Sequence, residues 1–385
     1  MGMTWRAKKL MVITFVFLLV SLLLISITSC VNNDPVSAFS DSHKVIEPNE
    51  IIIGGLFHLT GPGAMWGTGE MEGAALAVEI LNKKGGINGR DLRIVSEDGG
   101  TDFAKTASSI NKLIDIGRVS IIIGPTWFGQ VAAPIVMERK IIMVSPSAGV
   151  VPQPNPYFFD LWPTEAQEIE PEVEYMRHHG VSRLAIVYSQ NDWSESMKNN
   201  FLNESSRTGI SIVKEFATSS DETDFRTVIT NLNLLNIDAV YAPFAFYPSQ
   251  GAFSKQAREM GLPFPIFSSS GTENPQLVQS FPSIEGTIYP YRKRTNDEID
   301  FENRFQKRFG HPPSPSSAYG YDAVMVLSEA IKSGAATSDQ ISVFLHAMRG
   351  YQGVSNTITF DSNGRITAKD HIMKQVSHGA FVSLS

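Results

Sequence analysis

From Glu50 onward, short apolar runs alternate with stretches of helical periodicity, and that order leaves few folds open. IIIGGL (51–56), LRIVSE (92–97), VSIIIG (119–124) and IIMVS (141–145) read as strands, with helices expected over 68–82, 102–115 and 130–139. Several runs are apolar throughout, as strands covered on both faces must be. Such alternation predicts right-handed crossovers and a parallel, doubly wound sheet. The pattern restarts at Thr164. Helices over 164–178, 195–207, 225–235 and 250–260 separate the strands LAIVY (184–188), ISIVKEF (210–216), AVYAPF (239–244) and PIFS (265–268). Further helices are expected over 296–309, 316–332 and 338–349, and Asn363-Gly364 within TITFDSNGRIT (357–367) signals a hairpin. The expected fold class is α/β, built of two doubly wound Rossmann-like lobes. Ligands in such sheets bind beyond the carboxyl ends of strands, so two lobes can share one cleft and close on it by a hinge.

The first residues stand outside this pattern. Arg6, Lys8 and Lys9 precede a nearly unbroken apolar run from Leu10 to Ile27, followed by Ile27-Thr28-Ser29-Cys30. Small residues before a cleavage point mark a signal peptide, and the cysteine there resembles a bacterial lipobox. Residues 1–29 are therefore expected to be removed and Cys30 to be lipidated, with 30–49 a flexible tether rich in Pro, Asn, Asp and Ser. The competing reading is an uncleaved transmembrane anchor, since the run is about long enough to span a bilayer. Removing the three basic residues takes the formal net charge from −7 to −10. That balance excludes a nucleic-acid partner, which needs a basic footprint. It suits a body held outside the cell membrane by acyl chains. Cys30 is the single cysteine, so no intramolecular disulfide supports the fold.

Five segments carry a resemblance. GLFHLTGPGAMWGTGEMEGAALAVEILNKKGGINGRDLRIVSEDGGTD (55–102) resembles the N-terminal signature of branched-chain amino-acid-type solute-binding proteins, the type I periplasmic binding proteins of ABC transporters. IIIGP (121–125), MVSPSAG (143–149), FYPSQGAFSKQAREMG (246–261) and ITFDSNGRI (358–366) add to it. The resemblance implies two lobes joined by three crossovers, placed near 161, 291 and 368. The N-terminal lobe would be 50–161 plus 292–368, and the C-terminal lobe 162–291 plus 369–385. It also implies a small-molecule ligand, permease transmembrane subunits as partners, and a monomer with no cofactor.

In that family the ligand carboxylate meets backbone N–H groups and a hydroxyl after the third strand. Its ammonium meets carbonyls, a Thr hydroxyl and an acid of the other lobe. Trp66 falls where the family places an aromatic over the ligand. Phe128, beside Thr126 and Trp127, stands where a Ser usually offers its hydroxyl. Ser147, Ala148 and Gly149 match the segment after the fourth strand, with Gly149 in place of a Thr. Trp193 matches a pocket aromatic, Phe246 a position usually held by Tyr, and Ser270 the position of the ammonium-binding acid. Three polar positions have thus become Phe, Gly and Ser, while the aromatic content has risen. The expected ligand is apolar or aromatic, with or without a carboxylate. Backbone donors near Gly129–Val131 and Ser147–Gly149 are available in principle for an anion. Glu273, Asp192 and Glu195 are the candidates to replace the missing acid. A branched-chain amino acid in a non-standard pose is the other ligand reading, and a sensing subunit for a receptor or kinase the other role.

No catalytic residues emerge. No GxSxG elbow appears, the eight histidines are scattered, and no HExxH, CxxC or carboxylate–His group has metal spacing. His58, at a strand end, is read as a structural histidine in preference to a ligand contact.

Overall fold

The computed structural model describes residues 50–149, 151–152, 154–294, 296–367 and 371–384. The residues expected to form the signal peptide, the lipidated Cys30, the tether and the crossover near 368 lie outside them.

The first sheet contains β1 (Glu50–Phe57), β2 (Asp91–Asp98), β3 (Ile121–Ile123), β4 (Ile142–Ser145) and β5 (Phe158–Asp160), all parallel, in the order β2-β1-β3-β4-β5. Helices α1 (Ala64–Lys83), α2 (Phe103–Asp115) and α3 (Gly129–Arg139) connect them. The second sheet repeats the plan. Its parallel strands β6 (Arg183–Ser189), β7 (Ser211–Thr218), β8 (Ala239–Tyr241), β9 (Ile266–Phe267) and β10 (Ile288–Arg292) run in the order β7-β6-β8-β9-β10. Helices α4 (Glu165–His178), α5 (Asp192–Thr208), α6 (Arg226–Leu232), α7 (Tyr247–Glu259) and α8 (Pro275–Ser280) accompany it. The shared strand order is the doubly wound arrangement whose switch point lies between the first and third strands of each sheet.

After β10 the chain returns to the first sheet. Helices α9 (Asn296–Phe309), α10 (Ser317–Lys332) and α11 (Ser338–Ala347) pack there, with α10 lying along α1. Short strands β11 (Tyr351–Gln352) and β12 (Thr357–Ile358) follow, then β13 (His371–Ser377) and β14 (Ala380–Ser383) extend the second sheet antiparallel from β10. The α1–α10 contact is close because glycines permit it. A Cβ on Gly73 would fall 1.9 Å from the Ser317 carbonyl oxygen, and one on Gly320 would fall 2.1 Å from that of Glu70.

Three local outcomes differ from the sequence pattern. Helix α1 begins at Ala64, four residues before the expected Thr68, which turns Trp66 from a loop residue into a first-turn residue. Pro156-Tyr157 and the brevity of Phe158–Asp160 hide β5, although its three residues are fully buried between the helix layers. The Asn363-Gly364 turn forms, but the arms meet through a single bridge, Phe360 to Ile366, while β12 pairs backward with β11. Arg365 ties that turn to β5 by an ion pair with Asp160 at 3.2 Å.

Candidate functional site

Trp66, Trp127, Trp162 and Trp193 are the four tryptophans of the described residues, and all four line one cavity of about 30 Å³. Phe244, Ala245, Tyr247, Ser147, Gly149 and Ser269–Gly271 complete its wall. An adjoining compartment of about 140 Å³ shares Trp127, Gly149, Trp193 and Ala245 with the first. Their walls come from the carboxyl ends of β3 and β4 on one side and of β6, β8 and β9 on the other. This is where doubly wound sheets place ligands. A hollow of about 370 Å³ beside Tyr291–Arg294 is larger, but β10 is the one strand end it touches and its arginines are paired, Arg292 with Glu298 and Arg294 with Glu302.

The aromatic loop owes its shape to the strand before it. Gly124 ends β3 at φ 122°, where a Cβ would lie 2.1 Å from the Leu56 carbonyl oxygen. Trp127 and Phe128 then both take left-handed backbone, at φ 54° and 53°. Non-glycine residues there cost on the order of 1–3 kcal/mol each. The conformation is held by Trp127 N–H donating to the Ser147 carbonyl at 2.8 Å and Gly129 N–H donating to that of Ala148 at 2.9 Å. Ring contacts add to this: Trp127 meets Phe246 of the second lobe at 5.5 Å, and Phe128 meets Phe103 at 4.7 Å.

Inside the first compartment, Trp66 stacks near Tyr247 at 6.0 Å and meets Trp162 edge-on at 5.2 Å. Trp66 Nε1 is buried and has no hydrogen-bond partner among the described residues. Behind the rings stand two fully buried carboxyls. Glu70, on α1, accepts hydrogen bonds from the hydroxyls of Thr126 and Ser147. Glu168, on α4, accepts from Trp162 Nε1 at 3.0 Å and from Ser270 N–H at 3.3 Å. Burial pushes the Glu70 carboxyl up to about 8 and that of Glu168 up to about 7. One turn deeper, Glu172 is buried with neither oxygen bonded among the described residues, and burial raises it well above the usual range.

The residues expected from sequence divide between these surroundings. Trp66, Trp127, Ser147, Gly149, Trp193 and Ser270 line the aromatic compartment. Phe128, Ala148 and Phe246 line only the adjoining one. Thr126 lies fully behind the wall, its hydroxyl committed to Glu70. Of the candidate replacement acids, Glu273 pairs with Lys374 and accepts from Tyr289 Oη at 2.6 Å, away from the rings. Asp192 lines the adjoining compartment and accepts from Gln130 Nε2, while Glu195 is exposed on α5. The backbone donors expected to meet an anion are largely engaged. Besides Trp127 and Gly129, Val131 N–H donates to the Phe128 carbonyl, Ser147 N–H to Ser145 Oγ and Ala148 N–H to Asp160 Oδ1. His58 is fully buried between Trp127 and Phe128, and burial lowers its pKa to about 4, so its ring is neutral.

Sequence reasoning missed Trp162, Tyr247, Glu70 and Glu168. Trp162 adjoins the expected first crossover and Tyr247 follows Phe246, so both were within reach of the pattern. Glu70 and Glu168 carried no signal, because surface helices hold acids at such positions routinely. Among the described residues no group of three His, Cys, Asp or Glu could hold a metal ion, and no helix is long and apolar enough to cross a membrane.

Two doubly wound lobes with a ring-lined cleft between their strand ends define a two-lobed binder of small solutes. A family model described as periplasmic binding protein matches residues 50–380, and the chain belongs to that family of extracytoplasmic solute-binding proteins. It is similar to the Leu/Ile/Val-binding protein homolog 1 of Brucella melitensis, at 23% identity over 86% of this chain and 91% of that one. A branched-chain amino acid transporter substrate-binding protein from Streptococcus pneumoniae, solved with isoleucine, superposes with a TM-score of 0.78 at 23% identity, covering 87% of this chain and 99% of that one. An ABC transporter solute-binding protein from Rhodopseudomonas palustris, solved with benzoate, has a TM-score of 0.78 at 19% identity, covering 87% and 96%.

Proposed function

We propose that this protein is the lipid-anchored solute-binding component of an ABC uptake system, and that it captures an apolar or aromatic small molecule between its lobes. The observation that carries the ligand class is the convergence of all four described tryptophans on one cavity. Rings offer a large apolar area at little entropic cost, and aromatic pairs add about 0.5–1.5 kcal/mol beyond area. The relatives named for Leu, Ile and Val, and the neighbour solved with benzoate, support a small, largely apolar solute. The lobe boundaries that go with this reading are 50–161 plus 292–368 and 162–291 plus 369–385. Their support is that β5 ends at Asp160, β10 ends at Arg292, and β13 rejoins the second sheet. The anchor rests on Cys30 and the preceding apolar run, and a mature chain from the native host without acyl mass at Cys30 would reject it.

A thermal-shift screen of amino acids, aromatic acids and other small metabolites tests the ligand reading, with tryptophan fluorescence as a second readout. A ligand at about 100 times its Kd stabilises the fold by about 2.7 kcal/mol. Trp66→Ala is expected to weaken any hit by at least about tenfold, or roughly 1.4 kcal/mol. Hits that ignore Trp66→Ala and leave the fluorescence unchanged would place the ligand elsewhere. Adjacent permease and ATPase genes are expected; an adjacent receptor or kinase gene in their place would favour sensing over uptake.

A further inference from the structure

We infer that the solute carries a positive charge: an alkylated ammonium held among Trp66, Trp127, Trp162, Trp193 and Tyr247, with an oxygen acceptor elsewhere on the molecule. The inference rests on the proposed aromatic cleft and assigns the charge of what that cleft takes.

Three observations point the same way. First, among the described residues Asp192 is the single carboxylate on the walls of the two compartments. Among the described residues no Lys, Arg or His lines either compartment. Second, the carboxyls of Glu70 and Glu168 each sit one residue behind the rings, the first bonded to Ser147 and the second to Trp162 and Ser270. The guanidinium of Arg365, which also reaches the Gly149 carbonyl, is matched by Asp160, and that of Arg292 by Glu298. Of the backbone N–H groups that could answer an anion, those of Gly129, Val131, Ser147 and Ala148 are engaged within the loops. Aromatic faces present negative potential, and a desolvated cation among several of them is attracted more strongly than one in water. Third, Trp66 Nε1 is a donor only, buried and without a partner in that wall. It matches a hydroxyl or carbonyl oxygen on the same solute. An anion would be aligned with the donor but would find no fixed cation on the wall; a cation bearing an oxygen satisfies the donor and favours the ionised form of the two carboxyls behind the rings.

Calorimetric titration of the mature protein with four probes tests the charge: choline, its neutral isostere 3,3-dimethyl-1-butanol, phenyltrimethylammonium and benzoate. Each cation is expected to bind at least about tenfold more tightly than its uncharged or anionic counterpart, the scale of a desolvated cation–π contact. Glu168→Gln keeps an acceptor for Trp162 Nε1 while removing the charge, and is expected to narrow the choline-to-isostere ratio to within about threefold. Glu70→Gln serves as the second variant if the first does not fold. Equal affinity for choline and its isostere, or tighter binding of benzoate, overturns the charge assignment and leaves the aromatic cleft intact. Failure of all four probes, when the wider screen yields a ligand for the same tryptophans, overturns it too. No ligand from either set overturns both readings.

Discussion

Glu70 and Glu168 set the cleft's response to pH. Each is more basic in the folded protein than its ordinary value of 4.5, Glu70 at about 8 and Glu168 at about 7, because burial disfavours the charged form. The folded chain therefore holds protons that the unfolded chain has released. The stability these acids contribute is full below about 4.5 and is lost as pH rises through 7 and 8. His58 acts oppositely: lowered from 6.5 to about 4, it contributes above 6.5 and loses that contribution as pH falls toward 4. Above pH 6.5 the acids act without opposition from His58. Melting temperature is thus expected to fall by a few degrees between pH 6.5 and 8.5, and Glu70→Gln to flatten that slope. Differential scanning calorimetry across the range checks this; a wild-type profile that rises would contradict it. The same residues explain why Thr126 matters from behind the wall: its hydroxyl and that of Ser147 hold Glu70 in place.

At the scale of elements, the site depends on how closely α1 and α10 approach. Helix α1 carries both Trp66 and Glu70, and Ser316 Oγ, just before α10, donates to the Trp66 carbonyl at 2.9 Å. A methyl at position 320 would meet the Glu70 carbonyl oxygen at 2.1 Å, so the helices must separate to admit it. Gly320→Ala is expected to cost about 1–3 kcal/mol, the usual range for overpacking. It should also weaken solute binding, because Trp66 and Glu70 move with their helix. Urea denaturation and a parallel binding titration check the pair of effects. Lost stability with unchanged affinity would mean that α1 does not position the wall. Helix α4 is fixed by different means: Thr164 and Gln167 form a capping box at its start, directly before the turn bearing Glu168.

At the scale of the molecule, direct contacts cross the cleft. Gln130 Nε2 donates to Asp192, Trp127 meets Phe246, and Asn274 lies against Met65 Sδ at 3.4 Å. With a compartment of about 30 Å³ between the rings, a solute is expected to enter as the lobes part or the rings turn. The mouth contact between Gln130 and Asp192 opposes that opening. Asp192→Ala is expected to raise the solute's dissociation rate by about 3- to 10-fold, consistent with loss of one partly exposed charge-assisted hydrogen bond. Stopped-flow tryptophan fluorescence measures the rate, and an unchanged rate would show that the contact does not gate release.

The sequence by itself determined the layers. Fully apolar runs separated by helical stretches can bury both faces of a strand only in a parallel sheet with helices on either side, and the restart at Thr164 foretold the second sheet. It also determined that aromatic residues stand after β3 and at the start of α5 and α7, since Trp127, Phe128, Trp193 and Phe246 are legible in place. Only the tertiary structure decided which of them meet. Trp127 and Phe128 are neighbours in the chain, yet consecutive left-handed residues send one ring to the central compartment and leave the other only in the outer one. Trp66 and Trp162, far apart in sequence, come to 5.2 Å. The carboxyls of Glu70 and Glu168 could not be read beforehand, because an acid on a helix looks the same in sequence whether it faces water or another lobe. Burial and hydrogen-bond partners belong to the packed molecule, and they set both the charge of those groups and the character of the cleft.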